Sequence, residues 1–153
     1  MNTDAAIVIR DATSADLAFL VASARAMALE TEAKPLAEAV VTAGVAGLLA
    51  RTDRGFYLVA EQARQRVGTL MVTYEWSDWR NGDFWWIQSV YVTADARRGG
   101  VFRALYAETA RRARAAGAVG LRLYVEQDNA RAQATYAALG MQRTHYALYE
   151  TLF

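Results

Sequence analysis

A predicted strand, a glycine-rich turn and a predicted helix follow one another between residues 85 and 116, and this succession constrains the fold most. The apolar run of residues 85–92 is typical of a strand covered on both faces. Gly99 and Gly100 then come directly before a helical pattern over residues 101–116. The helix dipole and the backbone N–H groups at such a turn attract anions, and glycine lets an anion approach closely. We therefore expect an anion-binding turn, although an ordinary strand-to-helix turn would show the same pattern.

Composition limits the classes of protein to which the chain can belong. Its 153 residues suffice for one domain, and a net charge of +1 gives no general electrostatic attraction to nucleic acid or to an anionic membrane. The chain has no cysteine, which excludes disulfides, thiolate metal sites and cysteine nucleophiles. A single histidine, His145, argues against a multi-histidine metal site, so we expect no metal. The polar residues 1–4 and the lack of a membrane-length apolar run favour a cytoplasmic protein.

Hydrophobic periodicity predicts a single α/β domain over residues 1–153 with the element order βααβββαβαβ. Asn81-Gly82 is the expected turn pair of a hairpin between the third and fourth strands. Residues 30–35, which end at Pro35, are expected to link the first two helices. The predicted strands are residues 7–10, 56–61, 67–74, 84–92, 121–125 and 143–151, and the predicted helices are residues 16–28, 36–51, 101–116 and 130–139.

The C-terminal half adds a second motif, Asn129-x-x-Ala132-x-x-x-Tyr136-x-x-x-Gly140-Met141, after the strand at residues 121–125. Together with Arg97-x-x-Gly100-x-Phe102, it resembles the GCN5-related N-acetyltransferases, the GNAT superfamily. That family's signature is Q/R-x-x-G-x-G/A, and Phe102 departs from the small residue usual at its last position. The order of elements fits the family over nearly the whole chain. The resemblance implies a single-domain GNAT-like fold with a mixed, largely antiparallel central sheet flanked by helices.

The resemblance also implies acetyl-CoA as co-substrate. The glycine turn would bind its pyrophosphate through backbone N–H groups, and the pantetheine arm would add to the edge of the preceding strand. That strand would splay from the strand at residues 121–125 and open a slot for the thioester. Asn129 is equally well explained as a helix cap. The predicted cofactor-binding residues are Val90, Tyr91, Val92, Arg97, Arg98, Gly99, Gly100, Val101, Phe102, Arg103 and Asn129.

Two catalytic roles follow from the resemblance and from the chemistry of acyl transfer. Tyr136 matches the tyrosine that many family members use as general acid toward the leaving thiolate, although a core aromatic residue would look the same. A protonated amine must lose a proton before it attacks, and Glu75 is our first candidate for the base. Glu126 is the alternative, and Gln88 could position a relaying water. A solvated polar side chain is the plainer explanation of each.

The amine acceptor should bind across the sheet from the cofactor. Glu30 and Glu32 could attract a cationic amine, and Trp76 and Trp86 could line an apolar or cation–π wall. Trp79 and Tyr74 could extend that wall. A solvated loop beside a core tryptophan cluster is the alternative explanation.

These features predict an acetyl-CoA-dependent N-acetyltransferase that transfers acetyl directly to a primary amine of a small molecule or a peptide. The alternative is a non-catalytic CoA-binding or regulatory module with the same fold. A different nucleotide-binding protein is disfavoured, because no P-loop lysine and no complete G-x-G-x-x-G follows any strand. GNAT proteins often dimerise, and a homodimer could use the final strand.

Overall fold

The computed structural model describes residues 5–153, so residues 1–4, whose polarity argued against a signal peptide, lie outside the described part. The chain forms two compact units. The first ends at Leu123, and the second comprises Tyr124–Phe153.

The first unit contains a five-stranded mixed sheet in the order β1-β2-β3-β4-β5, which confirms the predicted sheet. The first three strand pairs are antiparallel, and β4 and β5 are parallel. The predicted hairpin between β3 and β4 is present, but its loop comprises residues 78–81: Asn81 is left-handed at φ 49°, and Gly82 already begins β4 opposite Ser77. The strands are β1 (Ile7–Asp11), β2 (Gly55–Gln62), β3 (Gln65–Ser77), β4 (Gly82–Val92) and β5 (Gly120–Leu123).

Among the described residues, three α-helices belong to the first unit and one to the second: α1 (Leu17–Glu32), α2 (Glu38–Leu49), α3 (Val101–Ala115) and α4 (Ala130–Ala138). The first unit also contains short 3₁₀ helices at Ser14–Asp16 and Ala94–Ala96. Helix α1 extends beyond its predicted end, so Glu30 and Glu32 lie in its last turn and not in the following link. Glutamate is a good helix former, which sustains the helix up to this point. The helix ends at Ala33, whose backbone is left-handed at φ 50°, and the Lys34 N–H donates to the Ala28 carbonyl.

The sheet separates two hydrophobic clusters because successive strand residues face opposite sides. On one side, α1 and α2 pack through Leu20, Val21 and Val45 onto Tyr57 and Val59 of β2. On the other side α3 covers the larger cluster, which includes Leu58, Leu70, Val72, Trp85, Ile87, Val101 and Leu105. Helix α3 thus covers the face opposite to α1 and α2.

A buried carboxylate ties β1 to β3 in the first unit. Asp16 is fully buried, and its two oxygens accept from Arg10 Nη1 and Nη2 at 2.8 and 2.9 Å. Arg66 Nε donates to the same carboxylate at 2.6 Å, and the Thr13 N–H donates at 2.7 Å. These donors stabilise the charged form, and the hydrogen bond from Arg10 contributes most to holding the Asp16 pKa well below its usual range.

The second unit differs from the prediction after α4. Residues 141–153 form neither helix nor strand, so the predicted strand at residues 143–151 is wrong. The alternation of Tyr146, Leu148 and Glu150 suits a strand, but a strand also requires a neighbour for its N–H and C=O groups. Tyr146 and Leu148 are instead 64% and 70% exposed.

Candidate active site

A β-bulge interrupts β4 beside the predicted cofactor-binding residues. Met71 of β3 lies opposite Gln88, whereas Thr69 lies opposite Tyr91, so β4 contains one more residue than β3 between these pairs. Ser89 takes up the extra length with a left-handed backbone at φ 48°. A bulge of this kind bends a strand and redirects its backbone groups.

The pairing between β4 and β5 stops just before this bulge. The last matched residues are Ile87 and Leu123, and in the described part of the first unit no strand pairs with residues 88–92 on the side away from β3. We call this segment, Gln88 to Val92, the open edge. Its backbone offers amide groups to a ligand that can add as a strand, as predicted for pantetheine.

The turn after the open edge combines two left-handed residues with the start of a helix. Arg98 and Gly100 are both left-handed, at φ 65° and 84°, and Gly100 directly precedes α3. A Cβ at Gly100 would meet nothing within 4 Å, so glycine is required there for its backbone angle and not for space. The first-turn N–H groups of α3 have no acceptor inside the helix and point toward the turn. The side chains of Arg98 and Arg103 are exposed beside them.

Phe102, the departure from the family signature, is half-buried in α3. It packs against the hydrophobic cluster under that helix, with its ring 6.2 Å from the ring of Tyr106. The bulky side chain is therefore accommodated by the core.

Arg97 has a different environment from the other arginines of the turn. Its Nη2 lies 2.7 Å from Glu30 Oε2, and its Nε donates to the Val92 carbonyl at 3.0 Å. The Tyr91 hydroxyl donates to the other oxygen of Glu30 at 3.4 Å. Glu30, predicted to attract the acceptor amine, thus links the end of α1 to the turn.

The two motif residues of the second unit lie at the start and in the middle of α4. Asn129 caps the helix, with its Oδ1 accepting from the Ala132 N–H at 3.0 Å, which is the plainer of its two predicted roles. Tyr136 is half-buried in α4, and burial raises the pKa of its phenol. The phenol therefore keeps its proton throughout the neutral range. Glu126, the alternative base, is exposed just before this helix.

Side chains of β3, β4 and β5 form a second region on the sheet side that α1 and α2 occupy. Residues directly opposite each other share a face, which places Glu75 beside Phe84 and Thr73 beside Trp86. We call this region the polar face. It consists of Thr73, Glu75, Phe84, Trp86, Gln88 and Arg122. Gln88 Nε2 donates to Thr73 Oγ1 at 2.6 Å, and among residues 5–153 no protein group donates to its carbonyl oxygen.

Glu75, our first candidate for the base, has a cationic partner on this face. Its Oε1 accepts from Arg122 Nη1 of β5 at 2.5 Å. Glu75 lies opposite Phe84, five residues before Ser89 on β4, or about 16 Å along the strand. A base must lie within hydrogen-bonding distance of the proton or one water away, so a thioester at the bulge would be too distant.

The structure does not bring the two predicted acceptor tryptophans together. Trp76 lies opposite Asp83, on the α3 side of the sheet, whereas Trp86 lies on the polar face. Trp76 is 62% exposed, and Trp86 is half-buried. The hypothesis of one wall formed by both residues is therefore wrong, because the strand register separates them. Glu32 is exposed in the last turn of α1.

Sequence reasoning missed Ser89 and Arg122. Serine is not a usual left-handed residue, so nothing in the local pattern marks the bulge. Arg122 alternates with apolar residues in a strand, and its role depends on partners from two other strands.

In the part of the chain that the structure describes, no three His, Cys, Asp or Glu side chains are grouped to hold a metal ion. No helix among residues 5–153 combines the length and apolarity that crossing a membrane requires.

Comparison with known proteins identifies the family of the chain. The model of the Acetyltransferase (GNAT) family matches residues 22–141. A possible acetyltransferase from Clostridium difficile 630 is 42% identical, with a TM-score of 0.90 over 96% of this chain and 97% of that chain. No curated protein matches the sequence.

Two more distant structures show the same fold. A predicted acetyltransferase with acetyl-CoA from Clostridium acetobutylicum is 16% identical, with a TM-score of 0.80 over 95% of this chain and 96% of that chain. A transcriptional regulator from Bacillus halodurans C-125 is 21% identical, with a TM-score of 0.82 over 96% of this chain and all of that chain. With a family model matched over most of its length, this chain belongs to the GNAT acetyltransferase family.

Proposed function

We propose that the protein is an acetyl-CoA-dependent N-acetyltransferase acting on a primary amine. The observation that carries the proposal is the succession of the bulged open edge, the left-handed turn at Gly100 and the start of α3. The edge suits the amides of pantetheine, and the turn suits a pyrophosphate. The similar Clostridium acetobutylicum protein, whose structure is described with acetyl-CoA, supports this choice of cofactor.

In the proposed reaction the neutral amine attacks the thioester carbonyl directly. The new N–C bond forms, the C–S bond breaks, and the amine's extra proton is released to water. Tyr136 donates its phenolic proton to the departing thiolate and recovers one from solvent. Its raised pKa suits this role, because the phenol is protonated when the thiolate leaves.

We do not assign the amine's proton to Glu75, because Arg122 engages that carboxylate and the strand register places it far from the bulge. A water held by Gln88 is the route we propose. Gln88 is the polar-face residue nearest to Ser89, and its amide is fixed by Thr73.

Calorimetry with acetyl-CoA, followed by measurement of free CoA release with a panel of primary amines, tests the proposal. We expect saturable binding and amine-dependent release of CoA. Failure to bind any CoA thioester would overturn the proposal. Binding without release for every amine would indicate the CoA-binding module instead.

A further inference from the structure

We propose that the polar face binds an oxyanion of the acceptor, a carboxylate or a phosphate, through Arg122 and Arg80. This inference rests on the proposed function, since it names a chemical class of acceptor for the same site. The proposed acceptor is a primary amine with an anionic group that is distant from the reacting nitrogen.

The site is built on the ring of Phe84. The guanidinium carbon of Arg122 lies 3.6 Å from the ring centre, and that of Arg80 lies 5.1 Å from it. The ring fits because position 120 is glycine: a Cβ there would come within 2.8 Å of Phe84 Cε1. Two strands and the hairpin loop therefore combine to hold two cations beside one aromatic surface.

The hydrogen bonds leave donors for a ligand. Arg122 Nη1 donates to Glu75, and in the described residues neither its Nε nor its Nη2 has a protein acceptor. The Arg122 side chain is 27% exposed, so a ligand can reach it. Arg80 is exposed, and in the same part of the chain its guanidinium forms no ion pair.

Charge supports an anion at this position. The Glu75 carboxylate pairs with Arg122, whereas Arg80 lies beside the same ring without a contact to Glu75, so Glu75 does not cancel both positive charges. Glu75 acts here as a positioning residue, because its hydrogen bond fixes one arm of Arg122 and leaves the other nitrogens of the planar fork without an acceptor among the described residues. Such a fork matches the two oxygens of a carboxylate or a phosphate.

Strand geometry sets the length of the acceptor. Gln88, nearest to the proposed reaction centre, is four residues from Phe84, or about 13 Å along β4. Trp86 lies between them on the same face. The acceptor should therefore carry its amine and its anion at opposite ends of an apolar middle part.

The test compares 8-aminooctanoate and 8-aminooctyl phosphate with octylamine, following free CoA release. We expect kcat/KM to be about 10- to 100-fold higher for at least one anionic acceptor, the range expected for charged hydrogen bonds. The two anionic acceptors distinguish a carboxylate site from a phosphate site. Equal kcat/KM for all three amines would overturn the inference while leaving the proposed function standing.

Arg122→Met, which keeps the length of the side chain without its charge, should reduce that preference about tenfold or more, mainly through KM. Arg114→Met is the matched control, since Arg114 is exposed on α3 at the opposite face of the sheet. An undiminished preference in Arg122→Met, or an equal loss in Arg114→Met, would overturn the inference.

Binding provides a readout that does not require turnover. Calorimetry of 8-acetamidooctanoate with CoA-loaded protein should give tighter binding to wild type than to Arg122→Met. Equal binding to both proteins would overturn the site. If the ligand binds more weakly to Arg122→Met but the wild-type protein transfers acetyl to no amine, the anion site stands and the proposed function is rejected.

Discussion

Two regions of the first unit arise from the sequence in different ways. One is the open edge together with the glycine turn, and the other is the polar face. The open edge and the turn come from one continuous stretch, residues 88–103, whose apolar run and paired glycines are visible locally. The polar face draws on β3, β4 and β5, and its pairs join residues as far apart as Glu75 and Arg122. Local chemistry therefore fixes the glycine turn of the proposed cofactor region, whereas strand register fixes the bulge of the open edge and the proposed acceptor region.

The largest expected effect concerns Asp16, which ties β1 to β3, the strand that pairs with β4 along both regions. Asp16→Asn leaves two arginines without their buried carboxylate, and we expect a loss of about 3–5 kcal/mol in the free energy of unfolding. Urea denaturation measures this loss. A loss below about 1 kcal/mol would show that the cluster does not anchor the first unit.

The same variant has a characteristic pH dependence. The folded-state pKa of Asp16 lies well below its unfolded value, so its stabilisation is present above about pH 4 and declines as the pH falls further. The difference between wild type and Asp16→Asn should therefore shrink in acid. A difference that stays constant from pH 6 to pH 2.5 would contradict the assignment.

The second largest effect concerns the chemical step, which Tyr136 tests separately from binding at either region. Tyr136→Phe should lower kcat at least about 100-fold, the contribution expected of a general acid, and keep acetyl-CoA affinity. Because burial raises the pKa of Tyr136, any alkaline loss of kcat due to this residue should begin above the ordinary tyrosine value of about 10. Unchanged kcat in the folded variant would remove Tyr136 from the mechanism.

A third effect tests whether the shape of the turn matters. Gly100→Ala imposes a side chain on a left-handed backbone at a cost of about 1–2 kcal/mol, so we expect roughly tenfold weaker acetyl-CoA binding by calorimetry. Gly44→Ala is the control, because Gly44 is also uncrowded but lies inside α2 without a positive φ. Similar affinities in both variants would mean that the turn does not shape the site.

The smallest effect separates the charge of the arginine side chains at the turn from the backbone conformation of the turn. Removing the exposed arginines, by Arg98→Ser and Arg103→Ser, should weaken acetyl-CoA binding several-fold each at low salt and less at high salt. Arg114→Ser, at the other end of α3, should have no such effect. Loss of affinity without salt dependence would contradict an electrostatic role.

The same contrast explains which features the sequence predicted. Most elements followed from local periodicity, and the Gly100 turn followed from its glycines. The Glu75–Arg122 pair and the separation of Trp76 from Trp86 depend on register across neighbouring strands, which a single sequence does not specify. The extent of α1 was underestimated because Glu30 and Glu32 extend the helix beyond its apolar face. The predicted final strand required a partner that alternation alone cannot supply.

Hydrogen–deuterium exchange with and without acetyl-CoA compares the two regions in one experiment. We expect slower exchange of the amides in residues 90–92 and 98–103 when the cofactor is bound, with little change in residues 73–76 and 120–122. No protection at the turn, or protection confined to the polar face, would contradict the assignment of the open edge and the turn to acetyl-CoA.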